Sequence, residues 1–374
     1  MDRSHSHVPR TGFFLRGVMS RTAQDDLRWM HRCLELAARG GRAVQPNPLV
    51  GSVIVKDGRV IGEGWHPRVG GPHAEREALV ACQEDPRGAT IYVNLEPCHL
   101  QGRTPPCSSA IVEAGLSRVV YAMDDPNPSE QGRSAKLMRE AGLEVEGGLL
   151  AEEAREQNLA YFTLQEKGRP FITLKSAATL NGMLARADGS SQWITGEEAR
   201  RQGHRLRAQA GAVAVGHETA RIDCPKLDLR LIEDDGPPPR PVIIAGRGIP
   251  ELSMFEWEDR SPILLAGRNV EAPAHWTVHR ISQDERGLNL TEALSVLAEE
   301  GIAHLMVEGG GRLLSSFIAA GLWDRWEYFT APTLFPSDGR SLWNMPEDGP
   351  RARIHHIQMH GEDVQISLVP EGEA

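Results

Sequence analysis

The chain has 374 residues, of which 40% are apolar and 25% are charged, the proportions of a soluble globular protein long enough for two substantial cores. Its net charge of −10 and pI near 5.8 give no basic footprint for a nucleic-acid backbone, and no apolar run reaches the length of a membrane span. We therefore expect no nucleic-acid partner and no membrane segment. Its five cysteines do not resemble a disulfide framework, so we expect a reducing, cytoplasmic location.

The N-terminal stretch 1–21 contains arginines, has little helical periodicity and includes a second methionine, Met19. It lacks the apolar core of a signal peptide. We expect a disordered extension or a start codon assigned too early, and a transit peptide is a weaker alternative.

The first predicted domain, 22–166, alternates helices and strands. Apolar residues at helical spacing from Leu27 to Ala38 predict the first helix, and "VGSVIVKDGRVIGEGW" alternates as two strands about an Asp57-Gly58 turn. The later elements are helices at 73–84, 107–115, 134–141 and 151–166, and strands at 89–95, 118–123 and near Val145. This order predicts an α/β layer sandwich.

The stretch "EKGRP" is the predicted linker, after which the α/β pattern begins again in a second domain, 167–374. Its predicted strands are "FITLKSAATL", "AGAVAVG", 241–245, 262–265, 303–308 and 326–331, and its helices are 196–209, 290–300 and 311–320. The two halves are not repeats of one another, so we predict two α/β domains in tandem.

Two segments of the first domain contain a candidate metal site. "PHAEREALVACQ" places His73 and Glu75 at a helix start, and "LEPCHLQGRTPPC" places Cys98 and Cys107 each after a proline. One imidazole and two thiolates are the ligands of a catalytic zinc that also holds a water. Zinc lowers the pKa of that water, and Glu75 can take its proton and pass it to a leaving group.

His-x-Glu followed by Pro-Cys and a second Cys is typical of zinc nucleobase deaminases, in which the Glu is not a ligand. This chain inserts "HLQGRTPP" between its thiols where Cys-x-x-Cys is usual. A structural zinc with four protein ligands is the alternative, and His66 and His99 are the candidates for the fourth ligand.

Short motifs along both halves carry a family resemblance. They are "PNPLVG", "GEGWH", "HAE", "LEPC", "GRTPPC" and "DPNP", followed by "LKSAATLNG", "SQWIT", "LRAQ" and "VEGG". In this order the chain resembles, from about residue 23 onward, the bifunctional deaminase/reductase of riboflavin biosynthesis. The resemblance implies a cytidine-deaminase-like three-layer domain followed by a dihydrofolate-reductase-like domain that uses NADPH.

The implied reactions act on a small phosphoribosyl pyrimidine. The first is zinc-dependent hydrolytic deamination of 2,5-diamino-6-ribosylamino-4(3H)-pyrimidinone 5′-phosphate. The second is NADPH-dependent reduction of the ribosyl group to a ribityl side chain. We also expect a homo-oligomer.

The resemblance assigns roles to residues of the first domain. The zinc ligands are His73, Cys98 and Cys107, the proton shuttle is Glu75, and the substrate contacts are Asn47, His66 and Arg103. The side chains suit these roles, because an amide presents a donor and an acceptor to a pyrimidine edge and a guanidinium presents a fork to a phosphate.

In the second domain the implied substrate-binding residues are Lys175, Asp223 and Glu308, and the implied cofactor-binding residues are Thr195, Thr219, Gly309 and Gly310. The glycines join a strand to a helix, where backbone N–H groups can approach a phosphate; a plain glycine-rich turn is the alternative. No G-x-G-x-x-G occurs, so a Rossmann domain is not supported.

The chain departs from the family pattern at several positions. His99-Leu100 stands where Ser-His is usual, Gln45 where His is frequent, Asn181 and Met183 where Asp and Lys or Arg are usual, and Gly211 where Asp is usual. The departures in the second half leave open a deaminase whose reductase domain is a scaffold. Two further alternatives are a zinc-stabilised regulatory or binding protein and, from the same zinc chemistry, a deaminase of nucleobases in RNA or DNA.

Overall fold

A computed structural model describes residues 21–100, 105–190, 193–246, 248–285, 287–342 and 349–372. Its strands form two large sheets, one in the first half of the chain (21–167) and one in the second half (168–372). No helix within these ranges combines the length and the apolar character that crossing a membrane requires.

The first half is built on a five-stranded sheet. Its helices are α1 Arg21–Ala38, α2 Ala74–Val80, α3 Cys107–Glu113, α4 Arg133–Glu140, α5 Ala151–Gln157 and α6 Leu159–Lys167, with a 3-10 turn at Gly41–Val44. Its strands are β1 Gly51–Lys56, β2 Arg59–Trp65, β3 Thr90–Val93, β4 Arg118–Tyr121 and β5 Glu144–Gly147. The strand order is β2-β1-β3-β4-β5, and β3 to β5 are parallel.

Alternating side chains of this sheet contribute to two separate cores. Val53 and Val55 of β1 join the core that contains α1 residues, whereas Ile54 joins the core that contains α2 and α3 residues. Successive strand side chains point to opposite faces, so the sheet is covered on both sides. The layer sandwich predicted for this half is confirmed.

The predicted hairpin turn of this half is confirmed. Asp57 and Gly58 have the positive φ that a two-residue hairpin loop requires.

Two predicted helices of this half differ from the structure. The prediction of a single helix at 151–166 is wrong, because the structure has two helices that are separated at Asn158. The Asn158 side chain accepts from Leu49 N at 2.8 Å and donates to Leu49 O at 3.1 Å. The helix predicted at 73–84 ends at Val80.

The second half is built on a nine-stranded sheet, and two further pairs of short strands, β7 with β16 and β12 with β13, lie outside it. The strands of this half are β6 Phe171–Thr179, β7 Met183–Ala185, β8 Ala212–Gly216, β9 Arg240–Ala245, β10 Ile263–Ala266, β11 Thr277–Arg280, β12 Gln283–Asp284, β13 Gly287–Leu288, β14 His304–Val307, β15 Arg325–Ala331, β16 Arg340–Ser341, β17 Ala352–His360 and β18 Asp363–Pro370. Its helices are α7 Glu197–Gln209, α8 His217–Asp223, α9 Leu290–Glu299 and α10 Gly311–Ala319, with a 3-10 turn at Leu252–Met254.

The order of the nine strands is β11-β10-β9-β8-β14-β6-β15-β18-β17. Strands β11 to β15 in this order are parallel, β18 pairs antiparallel with β15, and β17 pairs antiparallel with β18. Val307 pairs with Leu174, so Glu308, the residue after β14, comes level with Lys175 of β6. The register of two central strands therefore positions this pair.

Candidate active sites

The three predicted zinc ligands converge in the first half. His73 caps the N-terminus of α2, Cys98 lies in the loop after β3, and Cys107 is the first residue of α3. His73 Nδ1 lies 3.5 Å from Cys98 Sγ and 3.3 Å from Cys107 Sγ, and the three ligand atoms lie within 4.8 Å of one another. Cys107 N donates to Cys98 Sγ, so the start of α3 lies against the first thiol.

These distances fit a zinc ion. Tetrahedral zinc with bonds of about 2.3 Å to sulfur and about 2.0 Å to nitrogen requires its nitrogen and sulfur ligands to lie roughly 3.5 Å apart. Across the described ranges, the cluster contains three candidate ligand residues and no fourth. Three protein ligands is the number found in catalytic sites, whereas structural zinc sites have four.

Both candidates for a fourth ligand have other partners. His66 donates from Nδ1 to Pro72 O at 2.8 Å, which leaves Nε2 to accept from Asn47 Nδ2 at 3.1 Å. His99 Nδ1 donates to Glu130 Oε2 at 2.6 Å, and its backbone N–H donates to the same oxygen. Neither ring belongs to the group of ligand atoms that lie within 4.8 Å of one another, so the arrangement does not support the structural alternative.

Glu75 lies in the first turn of α2 and is only 3% exposed. Burial, reinforced by the charge of Cys98, raises the pKa of the Glu75 carboxyl. A hydrogen bond from Cys107 lowers the pKa of Cys98 to about 4, so the pair of thiols already favours a thiolate. A carboxyl with a raised pKa beside ligands of this kind is suited to both taking up and releasing a proton.

Asn47 and His66 lie beside the ligand cluster. The His66 ring stands edge-on to His73, with centroids 5.7 Å apart, and burial lowers its pKa so that it stays neutral. Because His66 takes one amide hydrogen of Asn47, the amide oxygen and the other hydrogen remain for a pyrimidine edge. The structure thus brings both predicted substrate contacts to the metal site, while Arg103 lies outside the described residues.

Glu96 is a residue of this site that sequence analysis missed. Its buried carboxylate accepts from Gly132 N, Ser134 Oγ and Ala135 N at the start of α4. These bonds anchor the loop that ends in Cys98. The signal was present in "LEPC", where an acid follows a predicted strand and precedes a ligand by two residues.

The second half contains a cleft of about 1290 Å³, lined in part by three predicted residues. Thr219 and Asp223 line it from α8, and Gly310 lines it as the N-cap of α10. The neighbouring Gly309 packs closely, because a Cβ there would lie 2.9 Å from Leu313. Thr195 does not line the cleft and is buried just before α7.

Lys175 and Glu308 belong to a partly buried charged cluster that does not line this cleft, although Glu308 precedes the lining residue Gly310 by two residues. Arg207 of α7, which sequence analysis missed as a site residue, donates to Glu308 through both Nε and Nη2, the latter at 2.7 Å from Oε2. Burial opposes ionisation of Glu308, but the guanidinium outweighs it and holds the pKa at about 2. Burial lowers the pKa of Lys175, which Glu308 partly offsets. The "LRAQ" motif contained Arg207, but its partner lies 101 residues away.

Asn181, one of the departures in the second half, has a local structural role, whereas Met183 contributes only its backbone N–H. Asn181 Oδ1 accepts from Thr179 Oγ1 at 2.7 Å, and its Nδ2 donates to Phe335 O at 2.7 Å, which pins the turn between β6 and β7. Met183 N donates to Thr179 Oγ1 at 3.0 Å. These contacts explain the turn without a charged side chain.

Gly211 lies where the two halves touch. A Cβ at Gly211 would lie 2.4 Å from Oε1 of Gln45, whose Nε2 donates to Gln209 O at 3.0 Å. Two departures from the family pattern are therefore in direct contact. Gly211 makes room for Gln45 and is not among the residues that line the cleft.

The fold and the sites together define a zinc-deaminase-type domain joined to a reductase-type domain. Residues 23–123 match the cytidine and deoxycytidylate deaminase zinc-binding region, and residues 170–366 match the RibD C-terminal domain. The riboflavin biosynthesis protein RibD of Aquifex aeolicus is 40% identical over 347 residues, which cover 91% of this chain and 97% of that relative. The chain belongs to the RibD family.

Solved structures agree with this membership. Acinetobacter baumannii RibD superposes with a TM-score of 0.87 at 35% identity, covering 93% of this chain and 99% of that one. A Thermotoga maritima diaminohydroxyphosphoribosylaminopyrimidine deaminase/5-amino-6-(5-phosphoribosylamino)uracil reductase superposes at 0.86 with 34% identity and the same coverage. The predicted fold class of both halves is thereby confirmed.

Proposed function

We propose that this chain is a bifunctional enzyme of riboflavin biosynthesis. It deaminates the diaminopyrimidinone ribose phosphate by hydrolysis and then reduces the ribosyl group to a ribityl group with NADPH. The observation that carries the proposal is the cluster of three zinc ligands beside a buried glutamate, in a chain that matches the family across both domains. The scaffold and regulatory alternatives are not favoured.

The deaminase residues act on a pyrimidine whose amino-bearing carbon gains an oxygen from water and loses ammonia. Zinc, when bound by His73, Cys98 and Cys107, supplies a water of lowered pKa. Glu75 takes up a proton on its carboxylate and delivers it to the departing nitrogen, which its raised pKa favours. The amide of Asn47, oriented by His66, holds the pyrimidine edge.

The reductase residues orient the sugar and the cofactor. NADPH supplies the hydride to the ribose carbon. Gly310, the N-cap of α10, and the neighbouring Thr219, whose Oγ1 would lie 3.8 Å from a Cβ on Gly310, are assigned to hold the cofactor. Lys175, Glu308 and Asp223 orient the sugar. We assign Thr195 and Gly309 to the cofactor side and Arg103 to the ribose phosphate on the family pattern.

One coupled assay tests both activities. The purified chain receives the diaminopyrimidinone ribose phosphate and NADPH, and ammonia is measured together with nicotinamide absorbance. We expect ammonia release and NADPH oxidation. A zinc chelator should stop ammonia release yet spare reduction of separately supplied deaminated pyrimidine, because the cleft lies in the other half. Ammonia without NADPH oxidation, in a sample that binds the cofactor, would refute the reductase assignment.

We further propose a reducing, cytoplasmic location, because the metal site needs two free thiols, and cell fractionation tests it.

We also propose that the chain forms a homo-oligomer through one face of the sheet formed by β15, β18 and β17. The exposed apolar residues there are Ile354 (54%), Ile357 (54%) and Met359 (58%), paired across the hairpin with Leu368, Ile366 and Val364. A second copy would cover this apolar patch.

Ile357→Asp is expected to shift the chain towards monomer in sedimentation velocity, because it places a charge in the middle of this sheet face. Val80→Asp is the matched control, since Val80 is an exposed apolar residue of the first half. A wild-type chain that sediments as a monomer at micromolar concentration would contradict the proposal.

A further inference from the structure

Arg42 belongs to the first half by sequence but is buried among groups of the second half. It lies in the 3-10 turn Gly41–Val44 and is 7% exposed. Its Nη1 donates to Ala208 O at 2.9 Å, its Nη2 to Gly236 O at 2.8 Å, and its Nε to Pro237 O. Its Nη2 also forms an ion pair with Asp234. Three backbone carbonyls and one carboxylate of the second half therefore accept hydrogen bonds from this guanidinium.

The receiving segment is the loop Asp234–Pro237 within the irregular stretch "DDGPPPRP". Asp234 Oδ1 also accepts from Gly236 N at 2.9 Å, so one carboxylate oxygen bonds both the arginine and its own loop. A Cβ on Gly236 would lie 3.1 Å from Arg42 Cζ, which shows how closely the loop surrounds the guanidinium. The planar, forked guanidinium makes such a contact directional.

The segment that Arg42 anchors leads directly to Asn47. Val44 O accepts from Asn47 N at 2.8 Å, and Asn47 Nδ2 donates to His66 at 3.1 Å. Gln45, between them, donates to Gln209 O in the space that Gly211 leaves. The loop 41–47 is thus held by the second half at two side chains and presents Asn47 to the deaminase site.

We infer that Arg42 is a positioning residue of the deaminase: docked in the Asp234–Pro237 loop, it holds loop 41–47 so that Asn47 meets the pyrimidine. The second half is thereby part of the first half's substrate site. The inference rests on the proposed function for the role of Asn47 and on the contacts above for everything else.

The expected signature is a rise in KM with little change in kcat. A contact to the pyrimidine edge stabilises the bound substrate and the transition state equally, so its loss weakens binding only. Arg42→Met is expected to raise the KM of deamination roughly tenfold, which corresponds to about one hydrogen bond. Asp234→Asn, in the other half, should raise it in the same direction, and Arg42→Lys should fall between wild type and Arg42→Met.

The matched control is Glu156→Gln. It removes another ion pair between the halves, Arg325 Nη2 to Glu156 Oε1 at 2.7 Å, which does not touch loop 41–47. Its KM should stay close to that of wild type. Zinc content and thermal unfolding are measured for every variant, because a folding defect would lower both.

Substrate binding is also titrated by calorimetry in the Glu75→Gln background, where turnover is strongly slowed. The dissociation constant should rise by the same factor as KM. An Arg42→Met chain with unchanged KM and dissociation constant would overturn the inference, as would a loss of kcat that follows zinc loss. Absence of ammonia release by the wild type would refute the proposed function alone, since the binding titration still tests Arg42.

Discussion

Glu75→Gln is expected to lower the rate of ammonia release by roughly 10²- to 10⁴-fold, the usual contribution of a positioned general acid–base. The variant should keep one zinc per chain, because Glu75 is not among the three ligand residues. Glutamine preserves the shape of the side chain but can neither take up nor release the proton. Ammonia release under saturating substrate and zinc content by mass spectrometry measure the two effects.

Glu77→Gln is the matched control for this change. Glu77 lies in the same first turn of α2 but is half-buried rather than buried. It should retain deamination and zinc. Deamination that survives Glu75→Gln would show that another group moves the proton. Loss of zinc from that variant would instead place Glu75 among the ligands.

Glu308→Ala is expected to lower the free energy of unfolding of the second half by about 3–5 kcal/mol and to abolish reduction. The change leaves the partly buried Arg207 guanidinium, whose side chain is 15% exposed, without its bidentate partner, and a charge left unpaired in such a place is costly. The pKa of Glu308 is held at about 2, below its ordinary value of 4.5. Its stabilising contribution is therefore fully present above about pH 4.5 and is lost as the pH falls through 2.

The double variant Glu308→Ala with Arg207→Met separates stability from catalysis. Removing both charges should recover most of the unfolding free energy, measured by urea denaturation at neutral pH, while reduction stays lost. If Glu308→Ala unfolds like wild type, the ion pair does not stabilise the fold. If the double variant regains NADPH oxidation, Glu308 does not orient the sugar.

The departures from the family pattern have a different meaning in the structure than in the sequence. In sequence, Asn181, Met183 and Gly211 are lost charges that put the reductase half in doubt. In the structure, Asn181 pins a turn and Gly211 accommodates Gln45 at the contact between halves. His99, which stands where the family usually has Ser, is held by Glu130, and Leu100, which stands where it usually has His, is 43% exposed. The Arg207–Glu308 ion pair and Lys175 are present in the same half as Asn181, Met183 and Gly211.

The sequence by itself determined the alternation of helices and strands, the Asp57-Gly58 hairpin and the set of candidate zinc ligands with Glu75. These features are local: turn chemistry, periodicity and closely spaced ligand motifs depend on neighbouring residues. The β17–β18 hairpin escaped prediction, and one reason is that β17 is exposed along most of its length, so burial imposes little alternation on it.

Only the tertiary structure decided which distant residues meet. Arg207 finds Glu308, and Arg42 docks beside Asp234, because parallel strand register and the contact between the halves bring them together. Asn158 interrupts a helix because its amide bonds to Leu49, a partner 109 residues earlier. Periodicity and turn signals do not predict such pairings. Each pairing depends on how complete helices and strands pack against one another and not on the neighbouring residues in the chain.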